Sequence, residues 1–330
     1  MFEKLEKGQT RPNAIAMFKS RRPWCPHIER KLSLTQEVTT VYAAPIIRNR
    51  GVQGLLCHIN ELIEANGVKR VYLFIDFFFA LDHEFVTHIS EKVKKILVTF
   101  DDLTLHKFNL RTAFACNLVL TADPISELKY QEAGIDSVFF PLESSKNIYK
   151  KLGEEKASDV LFFGNRQLAD RQEYLDHLTR NGVKVRVIGG KEKYIDSKNL
   201  VEEISNAKIV INFSKTGYIE EEIGDSKEPR FFFQLKGRII ETGLCGTMCI
   251  SEFAPAIRLL FDETELPIFW DKSSCLQLVN RLLESEVERG KFAKRLFRKC
   301  FEHFEDEKIM AKVEGKISQN NGKEICEGPD

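Results

Sequence analysis

The sequence predicts an α/β protein of two doubly wound domains, each a mostly parallel sheet covered by helices, facing each other across a cleft. Three observations predict it. Between residues 38 and 271, short β-rich apolar runs alternate with segments whose apolar residues recur at three and four. That alternation marks repeated strand–helix–strand units and a parallel sheet. A polar stretch without strand pattern interrupts it at residues 143–159. The chain of 330 residues also exceeds the roughly 250–300 residues that one core holds. The expected division is therefore 1–150 and 151–317, with a polar Gly/Asn-rich tail, 318–330, expected to be disordered.

In chain order, the first half offers strands at 38–43, 68–76, 96–101, 118–122 and 137–141. Helical spacing fills 51–65 and 85–95 between them. The second half restarts with a strand at 160–164, then a helix at 170–180, a strand at 183–188, a helix at 199–207 and a strand at 208–213. After a long polar loop, a helix starts near Gly237, stops at Gly246 and runs into a strand at 248–251. A last strand at 267–271 and a helix at 273–284 follow. The closing helix carries Ala293, Leu296, Phe297, Cys300, Phe301 and Phe304 as one apolar stripe, expected to pack across both domains.

Composition narrows the function. Lys+Arg and Asp+Glu are equal at 49, so no global field favours nucleic acid or membrane. The longest apolar run, 71–81, is broken by Asp76 and falls short of the ~20 residues that cross a bilayer. The first residues lack an apolar signal core. Eight cysteines contain no Cys-x-x-Cys pair, and Cys57, Cys116, Cys249 and Cys300 read as reduced core thiols in a cytoplasm, with no metal site expected. No Gly-x-Gly-x-x-Gly follows a strand, which speaks against a nicotinamide-dinucleotide dehydrogenase.

The segment 236–251 is the most informative. Lys236 and Arg238 stand at a helix start, the end where the helix dipole disfavours cations. An anion held between them and the helix amides removes that conflict. Glu241, one turn in, can accept hydrogen bonds from ribose hydroxyls. Gln234, Arg238, Glu241 and Cys245 share its face. Other candidates follow strand ends. Gly164 and Asn165 allow close backbone approach, with Arg171 ahead of Arg166 as a phosphate ligand. Gly189 and Gly190 leave room for a base or sugar, or are plain turn residues. Asn212 and Ser214 offer neutral hydrogen bonds and Lys215 a charge, though this is equally a strand cap. The acidic loop at 217–230 reads as solvated or as a lid. In the first half, His83 and Asp101 are the candidates for a base or an acceptor-orienting group, against the plainer reading as cap or turn residues.

The second half resembles the spore-maturation-protein-B-like glycosyltransferases. The resemblance rests on Phe162-Phe-Gly-Asn165, Arg171, the strand Ala207–Phe213, Lys236-Gly-Arg-Ile-Ile-Glu-Thr-Gly-Leu-Cys-Gly-Thr247 and Ser251-Glu252. It covers roughly 159–304, and the first half joins it only through strand spacing and Val98-Thr-Phe-Asp-Asp102. The resemblance implies a GT-B fold of two Rossmann-like domains and a metal-independent, retaining transfer from a nucleotide-diphosphate sugar. The nucleotide sugar is then a donor substrate and no cofactor is implied. The acceptor would be a hydroxyl of a glycan, a lipid-linked sugar or a cell-surface polysaccharide. Glu241 would hold the ribose as the second acid of an E-x7-E pattern, Thr247 would lie in the donor segment, and Arg171, Lys236 and Arg238 would neutralise the leaving diphosphate. Phe233 stands where the first acid of that pattern falls. Two alternatives remain open: a non-catalytic nucleotide-sugar or partner-binding module, and a sugar-nucleotide epimerase of the same fold. The closing helix also carries Arg289, Lys291, Lys294, Arg295, Arg298 and Lys299, a solvated face or a peripheral contact with the inner face of a membrane.

Overall fold

A computed structural model describes residues 11–75, 81–153, 156–190, 195–216 and 232–319. The described elements run β1 (Asn13–Phe18), α1 (Cys25–Leu32), β2 (Glu37–Tyr42), α2 (Ala43–Asn66), β3 (Arg70–Phe74), α3 (His83–Thr87), β4 (Lys94–Thr99), α4 (Asp102–Ala113), β5 (Leu118–Thr121), α5 (Pro124–Glu132) and β6 (Ser137–Phe139). The chain continues through β7 (Ser158–Phe163), α6 (Arg171–Arg180), β8 (Val185–Ile188), α7 (Ser197–Ser205), β9 (Ala207–Asn212), α8 (Arg238–Leu244) and β10 (Met248–Glu252). It closes with α9 (Pro255–Leu260), β11 (Ile268–Phe269), α10 (Lys272–Glu284), α11 (Glu286–His303) and α12 (Asp306–Gln319). Two compact units result, one of residues 1–142 with 307–330, the other of 143–306.

The first unit is a parallel sheet ordered β2-β1-β3-β4-β5-β6. Strand β1, which lies between β2 and β3, comes ahead of the first strand expected from sequence. Alternate alanines in Asn-Ala-Ile-Ala-Met-Phe weaken its β signature, yet Ala14 to Phe18 are all buried. From β1 the chain winds to one side, and from β3 onward to the other. Right-handed crossovers then put α1 on one face and α2 to α5 on the opposite face. Leu55, Ile59 and Phe85 accordingly pack under Ile15, Val71 and Leu97. On the other face α1 covers only part of the sheet. The rest is closed by α12, whose Ile309, Met310, Val313 and Ile317 join Tyr72, Ile96 and Leu118.

The second unit is a parallel sheet ordered β11-β10-β9-β7-β8. Its elements lie within a few residues of those expected from sequence. The expected single closing helix is instead two. The chain breaks at Phe304 and Glu305, α11 stays with the second unit, and α12 belongs to the first. At the break, Ser144 donates from its hydroxyl to Asp306 Oδ1 at 2.8 Å, tying together the points where the chain enters and leaves this unit. Three further expectations change. Residues 85–95 form only the short α3 before β4 starts at Lys94. Cys57 is exposed rather than in a core, while Cys116, Cys249 and Cys300 are buried and free. Phe297 and Phe301 lie outside the buried stripe, which keeps Leu296, Cys300 and Phe304. The acidic loop at 217–230 and the tail from residue 320 lie outside the described residues.

Candidate active site at the carboxyl edge of the second sheet

Strands β7, β9 and β10 end side by side at Phe163, Asn212 and Glu252, and α8 starts at the same edge because it returns the chain from β9 to β10. Arg238 is its first residue. Its Nε donates to the Phe163 carbonyl at 2.7 Å and one terminal nitrogen donates to Asn212 Oδ1 at 2.6 Å. The guanidinium lies 5.0 Å and 5.2 Å from the ring centres of Phe162 and Phe163. Asn212 is itself held, donating from Nδ2 to the Ser251 hydroxyl at 2.8 Å. Gly164 makes the space. A Cβ there would meet Arg238 Nη2 at 2.8 Å, and its φ of +127° is one that side chains rarely adopt.

Arg171 is 3% exposed. It donates to the Asn165 carbonyl at 2.9 Å and to the Lys215 carbonyl at 2.8 Å. Its Nε has no hydrogen-bond partner among the described residues. Burial lowers the affinity of this guanidinium for its proton. Burial, with the positive charge of Arg171 next in effect, pushes Arg238 down to about 10. The charges of Glu252 and Asp170 oppose the shift of Arg171, and that of Glu241 opposes the shift of Arg238, but neither guanidinium is ion-paired to a carboxylate among the described residues. Lys215 is ion-paired. Its Nζ stands 2.6 Å from Asp170 Oδ2 and 3.1 Å from Glu252 Oε1. Burial disfavours its charge, and those two carboxylates more than offset this.

Glu252 went unmarked among the sequence candidates, and it organises this edge. It is 1% exposed, and its Oε2 accepts from the backbone N–H of Ser214 at 3.0 Å and of Lys215 at 3.1 Å. The Ser214 hydroxyl donates to the Glu252 carbonyl at 2.8 Å, so Ser214 and Lys215 are parts of one buried turn. In the sequence Glu252 entered through the resemblance, as Ser251-Glu252, and as an acid ending an apolar strand, without a role of its own.

Glu241 lies along the first turn of α8, where its Oε1 would sit 3.2 Å from a Cβ on Gly237. Burial, then the charge of Glu143, raises it to about 8, against the opposing pull of Arg238. The Tyr149 hydroxyl donates to Glu143, and burial with both carboxylates raises the phenol. Glu143 and Tyr149 come from the polar stretch that interrupts the strand–helix alternation. Lys236 turns from the helix start and donates to Gln234 Oε1 at 2.8 Å. The amides of Ile239 and Ile240 bond to the carbonyls of Lys236 and Gly237 at 3.3 Å and 2.8 Å. Side-chain cations rather than the helix amides therefore dominate this edge.

The remaining candidates are dispersed. Asn165 accepts from the Gln167 N–H at 3.0 Å. Gly189 and Gly190 follow β8 at the sheet edge with φ of +74° and +147°. Thr247 is 2% exposed at the opposite, amino end of β10, and its hydroxyl donates to the Ile204 carbonyl at 3.0 Å. In the first unit, His83 opens α3 with Nδ1 at 2.9 Å from the Arg111 carbonyl oxygen. Asp101 precedes α4, exposed, its carbonyl accepting from the Thr104 hydroxyl at 2.8 Å. Its neighbour Asp102 is fully buried and accepts from Tyr130 at 2.5 Å and Asn109 at 2.8 Å, with His106 Nδ1 at 2.8 Å. Burial alone would raise Asp102, and these partners bring it below the usual carboxylate range.

Two parallel-sheet, Rossmann-like units in one chain define the GT-B class of fold. The comparisons agree with it. Residues 166–315 match the family model described as glycosyl transferase-like. Among solved structures, the chain is similar to HepE from Anabaena in complex with UDP and glucose, at 13% identity and a TM-score of 0.64, covering 93% of this chain and 100% of that one. It is similar to a glycosyltransferase from Rickettsia africae at 10% identity and a TM-score of 0.64, covering 96% and 100%. Sucrose-phosphate synthase from Thermosynechococcus elongatus aligns at 10% identity and a TM-score of 0.63, covering 94% and 98%. At these identities the likeness is one of fold. No curated protein sequence matches the chain.

Proposed function

We propose that this protein is a metal-independent glycosyltransferase that moves a sugar from a nucleotide-diphosphate donor to a hydroxyl of a glycan or lipid-linked acceptor, with retention of configuration. The observation that carries this reading is the pair Arg238 and Arg171, two guanidiniums at the carboxyl edge of the sheet that are held by carbonyl and amide oxygens and are not ion-paired to a carboxylate among the described residues. In an open α/β sheet, ligands bind at that edge.

In the reaction, the bond between the sugar's anomeric carbon and the diphosphate oxygen breaks, and its electron pair stays on the diphosphate. The acceptor oxygen bonds to the anomeric carbon and its proton leaves with the diphosphate. Negative charge thus grows on the leaving group, where preorganised cations stabilise it most. Arg238 is held for that role by Phe163, Asn212 and the space at Gly164, and Arg171 by two carbonyls. Glu241 takes the ribose hydroxyls. Phe233 brings no acid to the sugar, so the hexose is held by other groups. The UDP complex of HepE makes uridine nucleotides the first probes. A cytoplasmic setting fits such donors.

The test is a thermal-shift panel of nucleotide sugars, since a ligand that binds only the folded state raises the unfolding temperature. A UDP-sugar is expected to raise it with chelator present. Arg238→Ala should remove most of the shift while the ligand-free protein still unfolds cooperatively. An undiminished shift in that variant overturns the phosphate assignment.

A further inference from the structure

Helix α11 turns Leu296 and Cys300 inward, and a Cβ on Gly243 of α8 would meet Cys300 Sγ at 2.5 Å. Its outer face is not simply polar. Val287 is 70% exposed, Phe301 43% and Phe297 36%, and the two phenyl rings stack at 5.7 Å with 21° between planes. At about 100° per residue, Val287, Lys291, Lys294, Phe297, Arg298 and Phe301 fall within one arc of about 120°. From Arg289 to Phe301 the helix holds six cations and no acid. Three of these make inward contacts: Arg289 donates to the Leu282 carbonyl at 2.7 Å, Arg295 reaches the Thr264 carbonyl at 3.5 Å, and Lys299 lies 3.9 Å from Glu265. Lys291, Lys294 and Arg298 are exposed and have no carboxylate partner among the described residues. Glu302 follows Arg298 by one turn on the outer face, and Glu288, three residues before Lys291, lies 3.6 Å from Arg281.

Two stacked, partly exposed rings, one with Lys146 Nζ 5.9 Å from its centre, beside three exposed cations match the boundary of an anionic bilayer, where rings enter the headgroup layer and cations meet phosphates. The rings stand out from a convex helix rather than lining a groove that would receive nucleobases, and the chain's charges balance overall, which favours lipid over nucleic acid. We propose that this face of α11 docks the protein on an anionic lipid surface, with Phe297 and Phe301 inserted and Lys291, Lys294 and Arg298 against the phosphates. The proposal is independent of the donor chemistry.

Co-sedimentation of the full chain with vesicles tests it. Phosphatidylcholine mixed with phosphatidylglycerol should pellet the protein, phosphatidylcholine alone should not, and added salt should release it. Each cation contributes about 1 kcal/mol near such a surface, so Lys294→Gln with Arg298→Gln should weaken binding about 30-fold. Phe297→Ser with Phe301→Ser should weaken it comparably with an unchanged unfolding midpoint, because both rings are exposed. Should the serine variant unfold early, the glutamine variant still decides. The proposal is overturned by equal binding to both vesicle types, by variants that bind like the parent, or by absence of vesicle binding alongside retention on single-stranded RNA.

Discussion

At the scale of single residues, the informative pair is Glu241 and Glu143. Glu241 is raised to about 8 by burial and by the charge of Glu143. Between its ordinary value and about 8, the folded protein keeps a proton that the unfolded chain has released. Stability therefore falls as pH rises through that window. Glu143→Gln removes the second cause, so the unfolding midpoint of that variant should decline less between about pH 5 and pH 9. Donor binding gives the complementary readout. If ionised Glu241 accepts the ribose hydroxyls, affinity for a UDP-sugar should climb toward about pH 8 in the parent and reach its plateau at lower pH in Glu143→Gln. Identical pH profiles in the two proteins would separate Glu241 from Glu143. Residue type and local spacing were enough to mark Arg171, Arg238 and Glu241 in the sequence. The partner that tunes Glu241 was not marked, because Glu143 arrives from a polar stretch about 100 residues upstream.

At the scale of elements, α8 is held by two glycines that act through space rather than through flexibility alone. Gly243 lets α11 approach. A methyl there would meet Cys300 Sγ at 2.5 Å and Leu296 Cγ at 3.0 Å. Gly243→Ala should therefore cost about 1–3 kcal/mol of stability, measured by denaturant unfolding, and Cys300→Ala in the same chain should recover part of it. Gly164→Ala acts on the site itself, since the added methyl displaces Arg238 from its 2.8 Å approach and strains a φ of +127°. Its UDP-sugar affinity should fall by a larger factor than that of Gly243→Ala, read by titration below the unfolding temperature. Strands with unbroken apolar runs, such as Ile209 to Ile211, were legible because burial on both faces leaves little room for polar residues. The inward face of α11 was not. Leu296 and Cys300 form one helical column, Phe297 and Phe301 the next, and composition cannot say which column meets a neighbour.

At the scale of the whole molecule, the chain's division into units follows contacts that no contiguous cut of the sequence reproduces. Right-handed crossovers from β3 to β6 leave one face of the first sheet bare, and the same handedness supplies no further helix to cover it. The gap is filled by α12, more than 160 residues later in the chain. Ile309, Met310 and Val313 are each 0% exposed within that face. Arg70 anchors the helix through a paired contact with Glu314 at 2.6 Å and 2.8 Å. The apolar stripe read in the sequence ends at Phe304, so α12 itself was not legible, and a stripe of apolar residues does not say which sheet it covers. Met310→Ala should thus destabilise the first unit by about 2–5 kcal/mol, the usual loss for emptying a buried methionine site. The second unit holds its own core of Val160, Ile209, Ile250 and Val279, so its unfolding should be unaffected. Calorimetry of the variant should split into an early transition that is insensitive to UDP-sugar and a later one that the ligand shifts upward. A single early transition carrying the full enthalpy would mean that the two units unfold as one, and that the chain's return to the first unit couples them.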